Sequence, residues 1–342
     1  MKNLIIALAA LTVLVAGCAQ EQIAGGTSKD GLTGEAIVYG EDSYFLGEPV
    51  VYKNVAVVPL TSTTQDPQRT ADYVTLAEAT KNDWIEIIEK PGDEIVSELT
   101  VRYTGPRPLL LLAGELLLGG KQDRVVAEDT AIDPLSTVVV PVFCVEPGRW
   151  SGSRLSFQSG GTQVPTSVKE KVLMGSQSDV WASTGEFNTF AGTGLASRST
   201  VDAGLRTNEV LEFTKAGKDG LWAAIAGDDS VVGVVFIIDG KIRSMEIFSS
   251  HRLLDSSFDS ILGGILAEAA VSDAESAGLP TREALQAFLS EAFEAQSLAM
   301  ADRVFIWGNT TFSGTGAVGG SVFFDRAETN VPVHSSFVNK KD

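Results

Sequence analysis

The chain has 342 residues, of which 44% are hydrophobic and 20% charged, and its formal net charge is -18 at pH 7. That composition describes a globular protein with enough apolar residues for a large core, and it excludes a disordered or collagen-like chain. The acidic balance makes nucleic acid and anionic lipid poor partners, and two cysteines and two histidines restrict thiol and imidazole chemistry.

Met1-Lys2-Asn3 is a short basic start, and Leu4 to Val15 is an apolar run broken only by Thr12. The run is shorter than the roughly 20 residues a helix needs to cross a bilayer, and it matches the h-region of a secretory signal. Leu14-Val15-Ala16-Gly17-Cys18 then places small residues directly before a cysteine. This resembles the bacterial lipobox, in which the cysteine is acylated and becomes the first mature residue. Residues 1–17 are therefore read as a lipoprotein signal peptide and Cys18 as the lipidation site, carrying palmitate-like chains. Acyl chains contribute about 0.8 kcal/mol per buried methylene, so several of them anchor stably without spanning. The expected location is the cell envelope. Ala19 stands where an aspartate commonly retains a lipoprotein at the inner membrane, which points to the periplasmic face of the outer membrane. Removing residues 1–17 takes away one lysine and no acid, so the charge moves from -18 to -19. With Cys18 lipidated, Cys144 is left without a disulfide partner.

Residues 18–34 combine the lipidated cysteine with a small, polar, glycine-rich tether. Residues 35–342 read as a single large domain, with lobes at 35–150 and 162–342 around a soft Gly/Ser/Thr-rich stretch from Ser151 to Gly161. A second soft stretch runs from Ser183 to Thr200. In the first lobe, strands are expected at 35–39, 50–60, 84–89, 95–103, 108–113, 124–132 and 137–145, where β-branched and aliphatic residues concentrate between turn signals. Thr75 and Glu78 are spaced for a capping box on a short helix.

In the second lobe, Val168, Val172, Leu173, Val180 and Trp181 recur at roughly helical spacing. Asp239-Gly240 between two β-patterned runs, 231–238 and 241–248, predicts a two-residue hairpin. Phe258, Ile261, Leu262, Ile265, Leu266 and Ala269 share one helical face, weakened by Gly263-Gly264 at about 1 kcal/mol per glycine. Residues 282–300 form the strongest helix, with Thr281 as cap, and strands are expected at 303–307, 318–324 and 331–337. The fold class is α+β: a β-rich N-terminal lobe, then a C-terminal lobe of β-hairpins and two or three packed helices.

No motif dictates a reaction. Gly314 to Gly319 has dinucleotide-fingerprint spacing, yet β-patterned residues follow it where a helix is required. His251 lies near Ser249, Ser250, Asp255 and Asp259, residues that a helix entry explains equally as caps. With two histidines, no histidine-rich metal site is expected, and no cofactor. Cys144 sits in Val138-Val139-Val140-Pro141-Val142-Phe143-Cys144-Val145, the setting of a small buried apolar residue and not of a nucleophile.

The candidate site is the central stretch. Glu115 interrupts an aliphatic run from Leu109 to Leu118, and a carboxylate buried there needs a partner. Lys121 and Arg124, across the Gly119-Gly120 turn, are the nearest in sequence. One reading is a structural ion pair that fixes the register of two segments. The other is a ligand pocket in which Glu115, Lys121, Gln122 and Arg124 meet Glu146, Arg149 and Trp150, with the basic groups facing a small anion.

Val58-Pro59-Leu60, Asp72 to Ala79, Gly114-Glu115, Gly120 to Arg124, Val140 to Trp150, Gln177 to Trp181 and the hairpin at Gly240 with Met245 to Phe248 occur in an order that resembles one bacterial family. That family is the ARG and rhodanese-phosphatase-superfamily-associated protein domain. The resemblance implies an α+β fold and an association with ADP-ribosylglycohydrolase-like and phosphatase-like proteins, and it brings no catalytic residues. Two functions remain as expectations. The first is a noncatalytic envelope lipoprotein that binds a small anionic ligand or an envelope protein. The second is a hydrolase working through carboxylates such as Glu115, Glu146 or Glu246.

Overall fold

The structure is a computed structural model that describes residues 36–39, 42–63, 72–89, 96–147, 156–193, 200–272, 274, 278–301, 308–314, 318–324 and 332–340. The expected signal peptide, Cys18, the expected tether, Arg149, Trp150 and the strand expected at 303–307 lie outside the described residues.

The chain opens with β1 (Ile37–Tyr39), β2 (Asp42–Leu46), β3 (Val50–Tyr52) and β4 (Val55–Ser62). β5 (Val74–Thr75) runs into α1 (Leu76–Lys81), followed by β6 (Ile85–Ile88), β7 (Glu98–Tyr103), β8 (Leu109–Leu111), β9 (Glu115–Gly119), β10 (Arg124–Val126), β11 (Thr130–Ile132), β12 (Ser136–Cys144) and β13 (Ser156–Gln163). Helices α2 (Thr166–Met174), α3 (Gln177–Phe190), α4 (Val201–Leu205) and α5 (Asn208–Leu221) come next. The hairpin β14 (Val231–Ile238) and β15 (Lys241–Phe248), then α6 (His251–Ala270), α7 (Arg282–Met300), β16 (Gly308–Ser313), β17 (Val318–Phe324) and β18 (Pro332–Asn339) complete the described chain.

The α+β class expected from the pattern is what the strands and helices build. A nine-stranded sheet has the order β1-β2-β4-β14-β15-β18-β17-β16, with β3 also on β4. Six strands, β10-β12-β7-β6-β13-β9, close into a barrel, and β11-β8-β5 form a small third sheet. The large sheet therefore takes strands from both ends of the chain.

Alternation along the strands sorts residues into layers. Val58, Leu60, Val235, Ile237, Met245 and Phe337 face α7, where Leu285, Phe288, Leu289, Ala292 and Phe293 form its apolar stripe. The opposite face carries Val234, Phe236 and Phe248 against Phe258, Ile261, Leu262 and Ile265 of α6. The barrel is filled by Ile87, Leu99, Val101, Leu117, Val126, Val140, Val142 and Phe157. Its outer wall, through Leu116 and Val125, packs on Val168 and Val172 of α2 and on Val180 and Phe187 of α3.

Local rules account for several elements. Thr75, Ser250 and Thr281 cap α1, α6 and α7 by accepting the N–H of Glu78, Leu253 and Ala284. The Gly263-Gly264 pair sits inside α6, and a Cβ at Gly264 would lie 2.4 Å from the Val164 carbonyl oxygen. The glycines thus let α6 touch β13 backbone to backbone, which outweighs their poor helix propensity.

Some expectations are corrected. The 50–60 run folds as two strands around Lys53, whose φ is 48°, and the 124–132 run divides into β10 and β11. The soft stretch ending at Gly161 contains the start of β13, held between β6 and β9. The stretch beginning at Ser183 is half helix, since α3 continues to Phe190. α5 was not foreseen, because its buried face carries only Val210, Gly217 and Leu221, too few apolar side chains to mark a helical stripe.

Candidate functional site

Where the barrel, α2 and the large sheet meet, charged groups are buried together. Antiparallel pairing sets Glu246 of β15 opposite Ser336 of β18, and Phe248 opposite His334. These four side chains therefore share the sheet face turned towards the barrel. His334 Nδ1 lies 2.6 Å from Asp129 Oδ2 and its Nε2 lies 2.9 Å from Glu246 Oε2. The imidazole stacks on Phe248 with ring centroids 4.4 Å apart. From above, Lys169 of α2 places Nζ 2.7 Å from Glu246 Oε1 and 3.1 Å from Gln163 Oε1, and Ser336 Oγ donates to Glu246 at 3.0 Å. Gln163 is paired across β13 and β9 with Glu115. Glu115 Oε2 accepts the Leu112 N–H at 3.0 Å, and Asp129 Oδ1 accepts the Ala113 N–H at 2.8 Å.

Burial sets the proton affinities. Glu115 is pushed up to about 8, first by loss of solvent and then by Asp129, although the Leu112 N–H, Lys169 and His334 pull the other way. Burial also works against an imidazolium at His334, but Asp129 and Glu246 on its two nitrogens raise it to about 9. Glu246 is buried as deeply as Glu115, yet Lys169 and His334 hold it below the usual carboxylate range. At neutral pH the network thus pairs an ionised Glu246 with Lys169 and an imidazolium, and Glu115 keeps its proton.

A second polar group occupies one end of the barrel. Arg124 is paired with Leu117 on β9 and with Cys144 on β12, which puts its side chain on the inward row with Leu117, Val126 and Val142. Arg124 Nη1 donates to the carbonyls of Gln122 at 2.8 Å and Asp123 at 3.3 Å. Its Nε is sealed from solvent with no hydrogen-bond partner, and burial lowers its proton affinity. Gln122 Nε2 donates to the Glu146 carbonyl and Glu146 Oε2 accepts the Asp123 N–H. Gln177 brackets the backbone of Cys144, accepting its N–H at 2.8 Å and donating to its carbonyl at 2.7 Å. The Cys144 thiol is fully buried and burial pushes its pKa up, the setting of an inert thiol.

The central stretch therefore splits in two. Glu115 joins the buried network, while Gln122, Arg124 and Glu146 gather at the barrel end, and Lys121 turns to Glu89, with Nζ 3.9 Å from Oε2. The expected pairing of Glu115 with Lys121 or Arg124 is not made. β9 and β10 are joined by a turn, so residues close in sequence point along different parts of the barrel. Arg149 and Trp150 lie outside the described residues. Asp129, Gln163, Lys169, His334 and Ser336 were not foreseen as a group. Two had a readable signal: Lys169 stands three and four residues before Val172 and Leu173, on the buried face of its helix, and His334 interrupts a β-patterned run. The serine and histidine near the start of α6 do not combine. His251 Nδ1 bonds to the Val231 carbonyl at 2.8 Å, and Ser250 Oγ caps Leu253.

Among the described residues, no group of three or more His, Cys, Asp or Glu side chains is placed to hold a metal ion, and no helix is long and apolar enough to cross a membrane. Comparison with curated proteins and with solved structures finds no match to the chain. A family model does match, over residues 43–338, which span the barrel, both polar groups and the large sheet apart from its edge strand β1. The chain belongs to the ARG and Rhodanese-Phosphatase-superfamily-associated Protein domain family.

Proposed function

We propose that this chain is a noncatalytic binding module of the bacterial cell envelope, lipid-anchored through Cys18. The observation that supports the noncatalytic part is the sealing of its acid–base groups. Glu115, Asp129, Lys169, Glu246 and His334 are each 5% exposed or less. Their hydrogen bonds run to one another, to Gln163 and Ser336 and to the neighbouring backbone, where a general acid or base would have to reach a substrate proton. Charges buried and satisfied in this way fix the docking of one part of a fold on another. The anchor rests on the lipobox at Leu14 to Cys18 and on the tether behind it. The outer membrane, by its periplasmic face, is the location that Ala19 favours.

Labelling with a palmitate analogue tests the anchor: the full-length chain takes up label and partitions with membranes, and Cys18→Ser abolishes both. Label on the serine variant refutes the assignment. A second reading, a hydrolase of unidentified substrate, is favoured by one observation: Glu115 and Glu246, in one cluster, are shifted in opposite directions, Glu115 up and Glu246 down, as acid and base partners are. Turnover of an ester, phosphoester or glycoside probe that Glu246→Gln abolishes without unfolding the protein would establish it in place of the binder.

A further inference from the structure

Arg124 indicates what the barrel end binds, and this inference rests on the binding-module reading. A guanidinium carries five N–H donors and no acceptor, and a buried cation is ordinarily paired with an anion. Arg124 is 2% exposed. Its one engaged nitrogen, Nη1, meets two carbonyls and, at 3.5 Å, Gln122 Oε1. Among the described residues no carboxylate comes within ion-pair distance of it. The acids that surround it are directed elsewhere: Glu89 takes the Lys121 N–H, Asp123 takes the Gly119 N–H and the Thr200 hydroxyl, and Glu146 takes the Asp123 N–H.

The partner that Arg124 lacks is therefore an anion from outside the chain. The Nε edge of a guanidinium presents two parallel donors that match two oxygens of a carboxylate, phosphate or sulfate. At this end of the barrel the Gly120 turn packs close on Phe157, where a Cβ would meet the ring at 2.2 Å. We propose that this end of the barrel is an oxyanion site, in which the Nε edge of Arg124 holds a single inorganic oxyanion or the terminal oxyanion group of a larger ligand.

The test is the thermal stability of the full-length protein in chloride, phosphate, sulfate and acetate at constant ionic strength, for wild type, Arg124→Gln and Arg124→Lys. Phosphate, sulfate or acetate raises the wild-type melting temperature along a saturating curve, reaching several degrees at about a hundred times the dissociation constant. The ranking of the three anions separates a tetrahedral group from a carboxylate. In chloride, Arg124→Gln melts at or above wild type, because a buried unpaired charge has gone, and it does not respond to the other anions. An equal, unsaturating response in wild type and Arg124→Gln, or no response in wild type, overturns the site. Should the glutamine variant fail to fold, the shape of the wild-type curve alone decides. A chromogenic phosphomonoester separates the two claims: stabilisation without phosphate release supports both, while release that Arg124→Gln abolishes supports the site and overturns the noncatalytic reading.

Discussion

Replacing Glu115 with glutamine keeps the size of the side chain and an oxygen for the Leu112 N–H, but removes a group that must lose a proton as pH rises. In the folded protein this carboxyl is held at about 8 against an ordinary 4.5. Between those values the folded state binds a proton that the unfolded state has released, so stability falls with rising pH. At about 1.4 kcal/mol for each tenfold change, the loss reaches about 5 kcal/mol by pH 8. His334, raised to about 9 from 6.5, acts in the same direction. Its stabilisation is complete below pH 6.5 and is lost as pH passes 9, which removes about 3 kcal/mol more. Glu246, held low, has the opposite sign and its contribution is lost only on acidification. The assay is urea unfolding followed by tryptophan fluorescence from pH 5 to 9.5, with Glu283→Gln as control because Glu283 is solvated. Wild type and control lose stability together as pH rises, while Glu115→Gln loses only the His334 part and gains on them progressively between pH 5 and pH 8. If the Glu115→Gln curve stays parallel to wild type across the range, burial of Glu115 is not what sets the alkaline limit.

Lys169→Met leaves Glu246 without its ammonium and should cost about 3–5 kcal/mol. The double variant with Glu246→Gln should lose less than the two singles together, read by the same urea titrations. Gly264→Ala drives a Cβ into the Val164 carbonyl and should lower stability by about 1–3 kcal/mol in thermal melts, although alanine is the better helix former. Cys144 should react with a thiol reagent only at the rate of global unfolding, because its thiol is fully buried; fast labelling of the native protein would refute that burial.

The parts of this fold that were legible in the sequence are those specified within a short window. The Asp239-Gly240 hairpin, the cap at Thr281 and the stripe of α7 are local, and the structure has them where the pattern places them. β13 was illegible because its Ser159-Gly160-Gly161 run has weak strand propensity; Gly160 is in β13 because a Cβ there would come within 2.9 Å of Leu116. The same distinction holds for the candidate site. A buried charge at Glu115 was readable from its aliphatic neighbours, but its surroundings come from five other segments: Asp129, Gln163, Lys169, Glu246 and His334. Nearness in sequence pointed to Arg124 instead. Arg124 itself was marked as a candidate, and only the closed barrel reveals that the acids nearby have turned from it to backbone donors.

β18 lies inside the large sheet, between β15 and β17, yet it follows every other described element along the chain. Until Pro332 to Asn339 have emerged, Glu246, Lys169 and Asp129 already exist but the imidazole that links two of them does not. Emergence of β18 is therefore a threshold for this fold, and not an increment of surface area. A product that stops before β18 cannot hide these charges, remains open within its sheet, and is distinguishable by a quality-control protease from one that contains it. A stop codon placed just before Pro332 should be as damaging as one far upstream of it, a pattern that a nonsense-codon scan would display directly.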